Sequence, residues 1–373
     1  MPTARSRIAV IATGALLSAS LCASPATTAL ATPTAPSVTI AVPCDASALS
    51  SAVSGAVPGT VLVLHPGCTY ELVAGLTVST RLTIIGNGDT IEPGIAGSHF
   101  SLISVTASGR LRIFDLNLDN GNSSDVGGAI SNDGGRVTVI RCKFDNDVAG
   151  GGGAINSFAG RLRVIDSTFS DNRSDAGVHA AGGAIETVSS DAVIKDSSFF
   201  DNISGGSNPK VGGGAIFASL RSLTIIDSTF RGNRGQSGGA IFKSSGPLTI
   251  ESSTFTNNAA RFGYGGALFA NTTAGLIGGS TFKLNSARTD GGAIEIVGDP
   301  TIKNTVIDSN TTGGAGGGIY APGVILHLIG TTVLRNSARL GGGGIYFSGT
   351  LTLTASLFTG NQPDNCVPTI AGC

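Results

Sequence analysis

The sequence predicts a parallel β-helix, an all-β solenoid of about a dozen coils, and three observations carry that prediction. A Gly-Gly unit opens nine times, at Gly127, Gly152, Gly182, Gly213, Gly238, Gly265, Gly291, Gly316 and Gly342. A hydrophobic residue follows each opening, seventeen positions on in seven copies and sixteen in two. These residues are Phe144, Phe169, Phe199, Phe230, Phe255, Phe282, Ile307, Val333 and Phe358. Three positions later comes an Asn, from Asn172 through to Asn361, with Asp147 in the first copy. All the larger length changes fall between that Asn and the next Gly-Gly. A unit of about 25 residues cannot bury its own apolar face, so it must stack on its neighbours.

Composition agrees. Glycine supplies 56 of the 373 residues, tryptophan is absent and only 13% are charged, a profile too poor in helix formers for an α protein. Apolar residues recur too regularly for disorder. A net charge of −1 gives no reason to expect nucleic acid or an anionic membrane as partner.

The elements follow in chain order. Residues 1–31 have the form of a secretory signal peptide: Arg5 and Arg7, the apolar run IAVIATGALLSASLCA, then the small residues Ala29-Leu30-Ala31. A membrane anchor is disfavoured by Gly, Ser and Thr within the run, and a lipoprotein signal at Cys22 by Leu21 before it. Residues 32–43 form a Pro/Thr-rich linker. Residues 44–126 lack both motifs but keep strand alternation, as in LTVSTRLTIIGNG, and are expected to be a cap and degenerate coils. Residues 127–361 are the regular coils. In LTIIDSTF, Leu223 and Ile225 point one way and Thr224 and Ile226 the other. Residues 362–373 depart from the pattern and read as a second cap. In an exported chain Cys44 with Cys68, and Cys366 with Cys373, read as two short disulfide loops. Cys142 stands in a column otherwise held by Ser167, Ser197, Ser228, Ser253 and Ser280, and reads as a small buried residue.

The GGAI (or GGAL, GGGI) motif paired with Phe-x-x-Asn resembles the repeats of the chlamydial polymorphic outer membrane proteins. The likeness spans Gly127 to Asn361. It implies a right-handed, single-stranded parallel β-helix of the pectin lyase-like kind and an exported surface adhesin. The chain ends soon after Asn361 with no run of amphipathic barrel strands, which departs from those autotransported proteins.

Chemistry must therefore come from what varies between copies. The outward column Thr138, Arg163, Val193, Thr224, Thr249, Leu276, Thr301, His327, Thr352 holds no acid. Candidate catalytic residues are Asp171, Asp175 and His179 in the insertion DNRSDAGVHAA, with Glu186 and Glu295 just beyond Gly-Gly corners. No cofactor or metal motif is present and none is expected; Asp171 with Asp175, or Asp119 with Asp125, has ligand chemistry compatible with Ca²⁺ but no diagnostic spacing. The position after GGAI is aromatic in several copies: Phe217, Phe242, Phe269, Tyr320 and Tyr346. These rings either form an outward strip able to hold a polysaccharide or surface protein, or turn inward to the core. The expectation is a secreted or surface-associated monomer that binds, with a polysaccharide lyase or glycoside hydrolase acting on an acidic polysaccharide, or a structural envelope protein, as alternatives.

Overall fold

A computed structural model of the protein describes residues 38–95, 97–175, 182–205 and 211–373. Every coil runs through up to four strands, and like strands of successive coils pair in parallel. The resulting sheets have 13, 12, 12 and 9 strands. In the coil opening at Gly213 the strands are Ile216–Ser219, Leu223–Ile226, Thr229–Arg231 and Arg234–Gly235. We name the sheets they belong to the Gly-Gly, alternating, Phe and short sheets. This is the all-β parallel solenoid that the repeat predicts.

The degenerate coils at 60–119 join the same sheets in register. Tyr70, Ile91 and Leu118 stand in one column with Phe144. The helix Ala46–Ser54, which the sequence pattern did not signal, lies beside them with Leu49 and Val53 buried. Its first turn is capped by the Asp45 carboxylate, which accepts the N–H groups of Ser47 and Ala48. Cys44–Cys68 and Cys366–Cys373 are disulfide-bonded.

One continuous core fills the helix. At its centre Phe144, Phe169, Phe199, Phe230, Phe255 and Phe282 stack with centroids 4.5–4.8 Å apart and planes within 5° of parallel. All six are fully buried. The coil repeat itself dictates this spacing, because parallel strands lie ~4.8 Å apart.

The Ser column does more than occupy little space. Each Ser N–H donates to the hydroxyl of the next coil, as from Ser197 to Ser228 at 3.2 Å, and each hydroxyl donates to the carbonyl two residues back. Cys142 enters this ladder by donating its N–H to Ser167. Burial pushes its thiol up to about 12. Directly before the Ser column, and again before the Asn column, the chain turns through the left-handed region, as at Asp227 (φ 49°) and Gly232 (φ 73°). Asp, Asn and Gly tolerate that conformation best, which explains why they recur there. At the Gly-Gly corner Gly238 has φ 67°, and a side chain on Gly239 would collide with the carbonyl oxygen of Gly266 in the next coil.

The Asn column is a continuous amide ladder. Asn233 donates both its N–H and its Nδ2 to Asn258 Oδ1, at 3.1 and 3.0 Å, and Nδ2 also to Phe199 O. Asp147 starts the ladder with the wrong chemistry. Its Oδ1 accepts from Gly121 as an Asn would, but Oδ2 stands where an amide would donate and has no partner among the described residues. Burial raises its pKa well above 3.8. In the unfolded chain the group ionises near its ordinary value, so folding is unpenalised below that pH. The stability is then lost as pH rises toward the higher folded value. Asp147→Asn is expected to stabilise the protein by about 1–3 kcal/mol at pH 7 and by much less at pH 3. Urea melts at the two pH values measure this, and an equal effect at both would refute the assignment.

Candidate functional site

The outward positions of the Gly-Gly sheet form a ladder that runs Asn156, Glu186, Phe217, Phe242, Phe269, Glu295, Tyr320, Tyr346. The five aromatic residues named from the sequence therefore share one column, outside the core cluster. They pack on one another: Phe217 on Phe242 at 5.6 Å, Phe242 on Phe269 at 4.6 Å and Tyr320 on Tyr346 at 5.1 Å. Phe217 and Phe242 are 6% and 5% exposed, while Phe269, Tyr320 and Tyr346 are half-buried. Ring faces spent on neighbouring rings cannot also stack on a sugar. Of the two orientations the sequence left open, the rings take the outward column, but largely buried against one another, with Glu295 between Phe269 and Tyr320.

Two carboxyl groups share the column, Glu186 beside its first aromatic ring and Glu295 between Phe269 and Tyr320, and both are buried. Glu186 accepts a hydrogen bond from Asn156 Nδ2 at 3.1 Å, and burial raises it to about 7. Glu295 is 6% exposed, and burial, then the Asp290 charge, raise it to about 8. Its Oε2 has no hydrogen-bond partner among the described residues. Burial, then Asp290, Glu295, Tyr346 and Tyr264, raise the Tyr320 phenol, which places these groups in one cluster. Tyr264 also leans on Phe269 at 6.3 Å, and Asp290 Oδ1 is held by the Ala315 N–H at 2.7 Å. Burial thus favours the neutral form of Glu295, which can donate as well as accept, beside a second carboxylate and two aromatic rings. That combination can hold a hydroxyl-rich ligand or deliver a proton.

The other sequence candidates lie elsewhere. His179 is outside the described residues. Asp175 pairs with Arg173 through its Nε. Asp171 occupies a left-handed turn (φ 54°) in line with Asn146 and Asp201, and burial, then Asp145 and Asp201, raise its pKa. Asp119 stands beside Asp145, its register partner. Among the described residues, three potential ligand atoms converge only at Cys44, His65 and Cys68, and both of those cysteines are in the disulfide.

Sequence reasoning missed Lys243. It points inward from the Gly-Gly sheet, fully buried, with Nζ donating to Arg221 O at 2.7 Å and to Ser245 O. Burial lowers it to about 8. The readable signal was its column, where Ala218 and Ala270 on either side leave room for the long stem.

Fold and site together define a right-handed parallel β-helix protein with a carboxyl–aromatic cluster on its outside. Residues 213–372 match the family model described as "Right handed beta helix region". Among solved structures, tailspike protein 3 of bacteriophage CBA120 is similar at 11% identity and a TM-score of 0.43, over 87% of this chain and 59% of that one. The PL6 family alginate lyase AlyGC is similar at 16% identity and a TM-score of 0.30, over 88% and 42%. The chain thus spans less than two-thirds of either structure. A search of curated proteins returns no match. Among the described residues no helix is long and apolar enough to cross a membrane.

Proposed function

We propose that this is an exported binding protein that holds a polysaccharide against the outside of its β-helix, at the cluster around Glu295. One observation carries the reading: a buried carboxyl with an unpartnered oxygen, set between Phe269 and Tyr320 on a face that belongs to no core. An unsatisfied buried acid costs about 1–3 kcal/mol, so the fold gains nothing from it. Sugars offer what this cluster lacks, hydroxyls for the carboxyl and an apolar ring face for the aromatics. Adhesion, which the resemblance to the chlamydial passengers implies, is one use of such a site.

A second reading rests on the same carboxyl. With its neutral form favoured by burial beside Asp290, Glu295 could serve as the general acid of a glycoside hydrolase or lyase. Three variants separate the readings on a polysaccharide panel scored for retention and for new reducing or unsaturated ends. Glu295→Ala and Tyr320→Ala should weaken retention about tenfold, as expected for losing one well-placed buried contact. Glu295→Gln, also neutral, should keep retention. New chain ends that vanish in Glu295→Gln would replace binding by catalysis. Retention of no polysaccharide by the unmodified protein would leave a structural envelope role.

A further inference from the structure

The outward face of the alternating sheet carries a second feature, which the Glu295 cluster does not use. Arg81, Arg110, Arg136 and Arg161 are register partners on four consecutive coils. Two positions along the same strands, Arg112 and Arg163 flank Thr138. All six are exposed, and Arg221 stands exposed at the rim. The chain as a whole has a net charge of −1, so this is local concentration and not general basicity.

Stability does not explain the ladder. Like charges directly opposite each other on paired strands are destabilising. The ion pairs among the described residues involve Arg141, Arg173, Lys195, Lys283 and Arg335, and none of these seven arginines. The column ends at Asp191, whose carboxylate accepts from the Ser222 hydroxyl at 2.6 Å and feels the Arg221 and Arg161 charges without a direct ion pair to either. Next to the guanidinium columns runs a half-buried apolar one, Ile85, Phe114, Ile140 and Ile165. On the other side the chain dips into an open depression floored by Gly134, Gly135 and Gly160 and edged by Arg136, Arg161 and Arg221.

We propose that this arginine ladder is a docking track for an acidic polysaccharide, a linear chain carrying one carboxylate or sulfate per sugar. A straight column rising ~4.8 Å per coil suits a ligand whose anionic groups also recur in a line. Phosphates on a duplex strand step by ~3.4 Å along the axis and wind around it, out of step with the column. A planar anionic membrane would call for charge spread over a wide face, and here it is confined to two adjacent columns of one sheet. Guanidinium forks pair bidentately with carboxylate or sulfate, and the adjacent apolar column can take the C–H face of the sugar. The inference shares with the Glu295 reading only the premise that the protein binds glycans, and it lies on a different face, so each can fail alone.

The full chain should be retarded by polygalacturonate in affinity electrophoresis, and not by dextran through this face, with retardation falling as salt rises. The combined variant Arg110→Ala/Arg136→Ala/Arg161→Ala should lose about tenfold or more in affinity while melting no lower than the unmodified protein. Replacing the same three by Lys should restore part of it. Thr138→Arg, filling the gap between Arg112 and Arg163, should tighten binding. A folded triple-Ala variant with full polygalacturonate affinity, tighter binding to duplex DNA or phosphatidylserine vesicles, or no retardation by polygalacturonate would each overturn the track. If Glu295→Ala abolishes neutral-glycan retention and leaves polygalacturonate binding intact, the two sites are separate.

Discussion

Asn258→Ala is expected to cost about 3 kcal/mol or more, although the residue touches no ligand and leaves only a small hole. Asn258 Oδ1 accepts both donors of Asn233, and its Nδ2 donates to Phe230 O and Asn285 Oδ1 at 3.0 Å each. Alanine keeps the backbone N–H that bonds Asn285, so that neighbour retains one donor. Asn233 fares worse, because two of its donors are left without an acceptor at a site closed to water. Phe230 O also loses a donor. Asn258→Asp should be no better, since it recreates in mid-ladder the unpartnered oxygen found at Asp147. Equilibrium urea unfolding measures the loss. A value below about 1 kcal/mol would show that the ladder contributes little beyond spacing.

Phe230→Ala should cost about 3–5 kcal/mol and change the shape of the transition as well as its midpoint. Its ring lies 4.7 Å from Phe199 and 4.8 Å from Phe255, so truncation opens a cavity between two rings that cannot close on each other. The backbone ladders hold the coils at their spacing, which prevents collapse into the hole. In a solenoid each coil contacts only its neighbours, and a weak central rung divides the array into two cooperative blocks. A broadened or biphasic melt is therefore expected from Phe230→Ala. Phe358→Ala, at the last rung of the same column and already 7% exposed, should only fray the end and leave the main transition single. A sharp, unshifted melt for Phe230→Ala would contradict nearest-neighbour coupling.

The solenoid was legible because its physics is periodic. Gly-Gly, Phe and Asn recur wherever a corner, a core filler and a hydrogen-bond ladder must be supplied once per coil, and the columns read from sequence are the columns found. The alternation of Leu223 and Ile225 against Thr224 and Ile226 was legible for the same reason: one face meets the core. The Ser column was seen, but its reciprocal hydrogen bonds were not, since a small residue and a bridging hydroxyl look alike in one dimension. Helix Ala46–Ser54 carried no repeat signal.

The site was legible only as a set of positions. The sequence placed Phe217, Phe242, Phe269, Tyr320 and Tyr346 in one column, leaving open whether it faces out or in, and noted Glu186 and Glu295 at the corners. It could not show that the rings occupy one another's faces or that Glu295 keeps an unpartnered oxygen. Those depend on rotamers and burial, which neighbours on the adjacent coils decide. The sequence noted Arg163 alone; the ladder escaped notice because Arg81, Arg110 and Arg112 lie in the degenerate coils, where no motif sets the register. Sequence by itself thus determined the coil, its period and its buried ladders, because each is a local demand repeated down the chain. Which exposed side chains stand side by side was decided only by the tertiary stacking, because that stacking brings residues some 25 positions apart to within a single strand spacing.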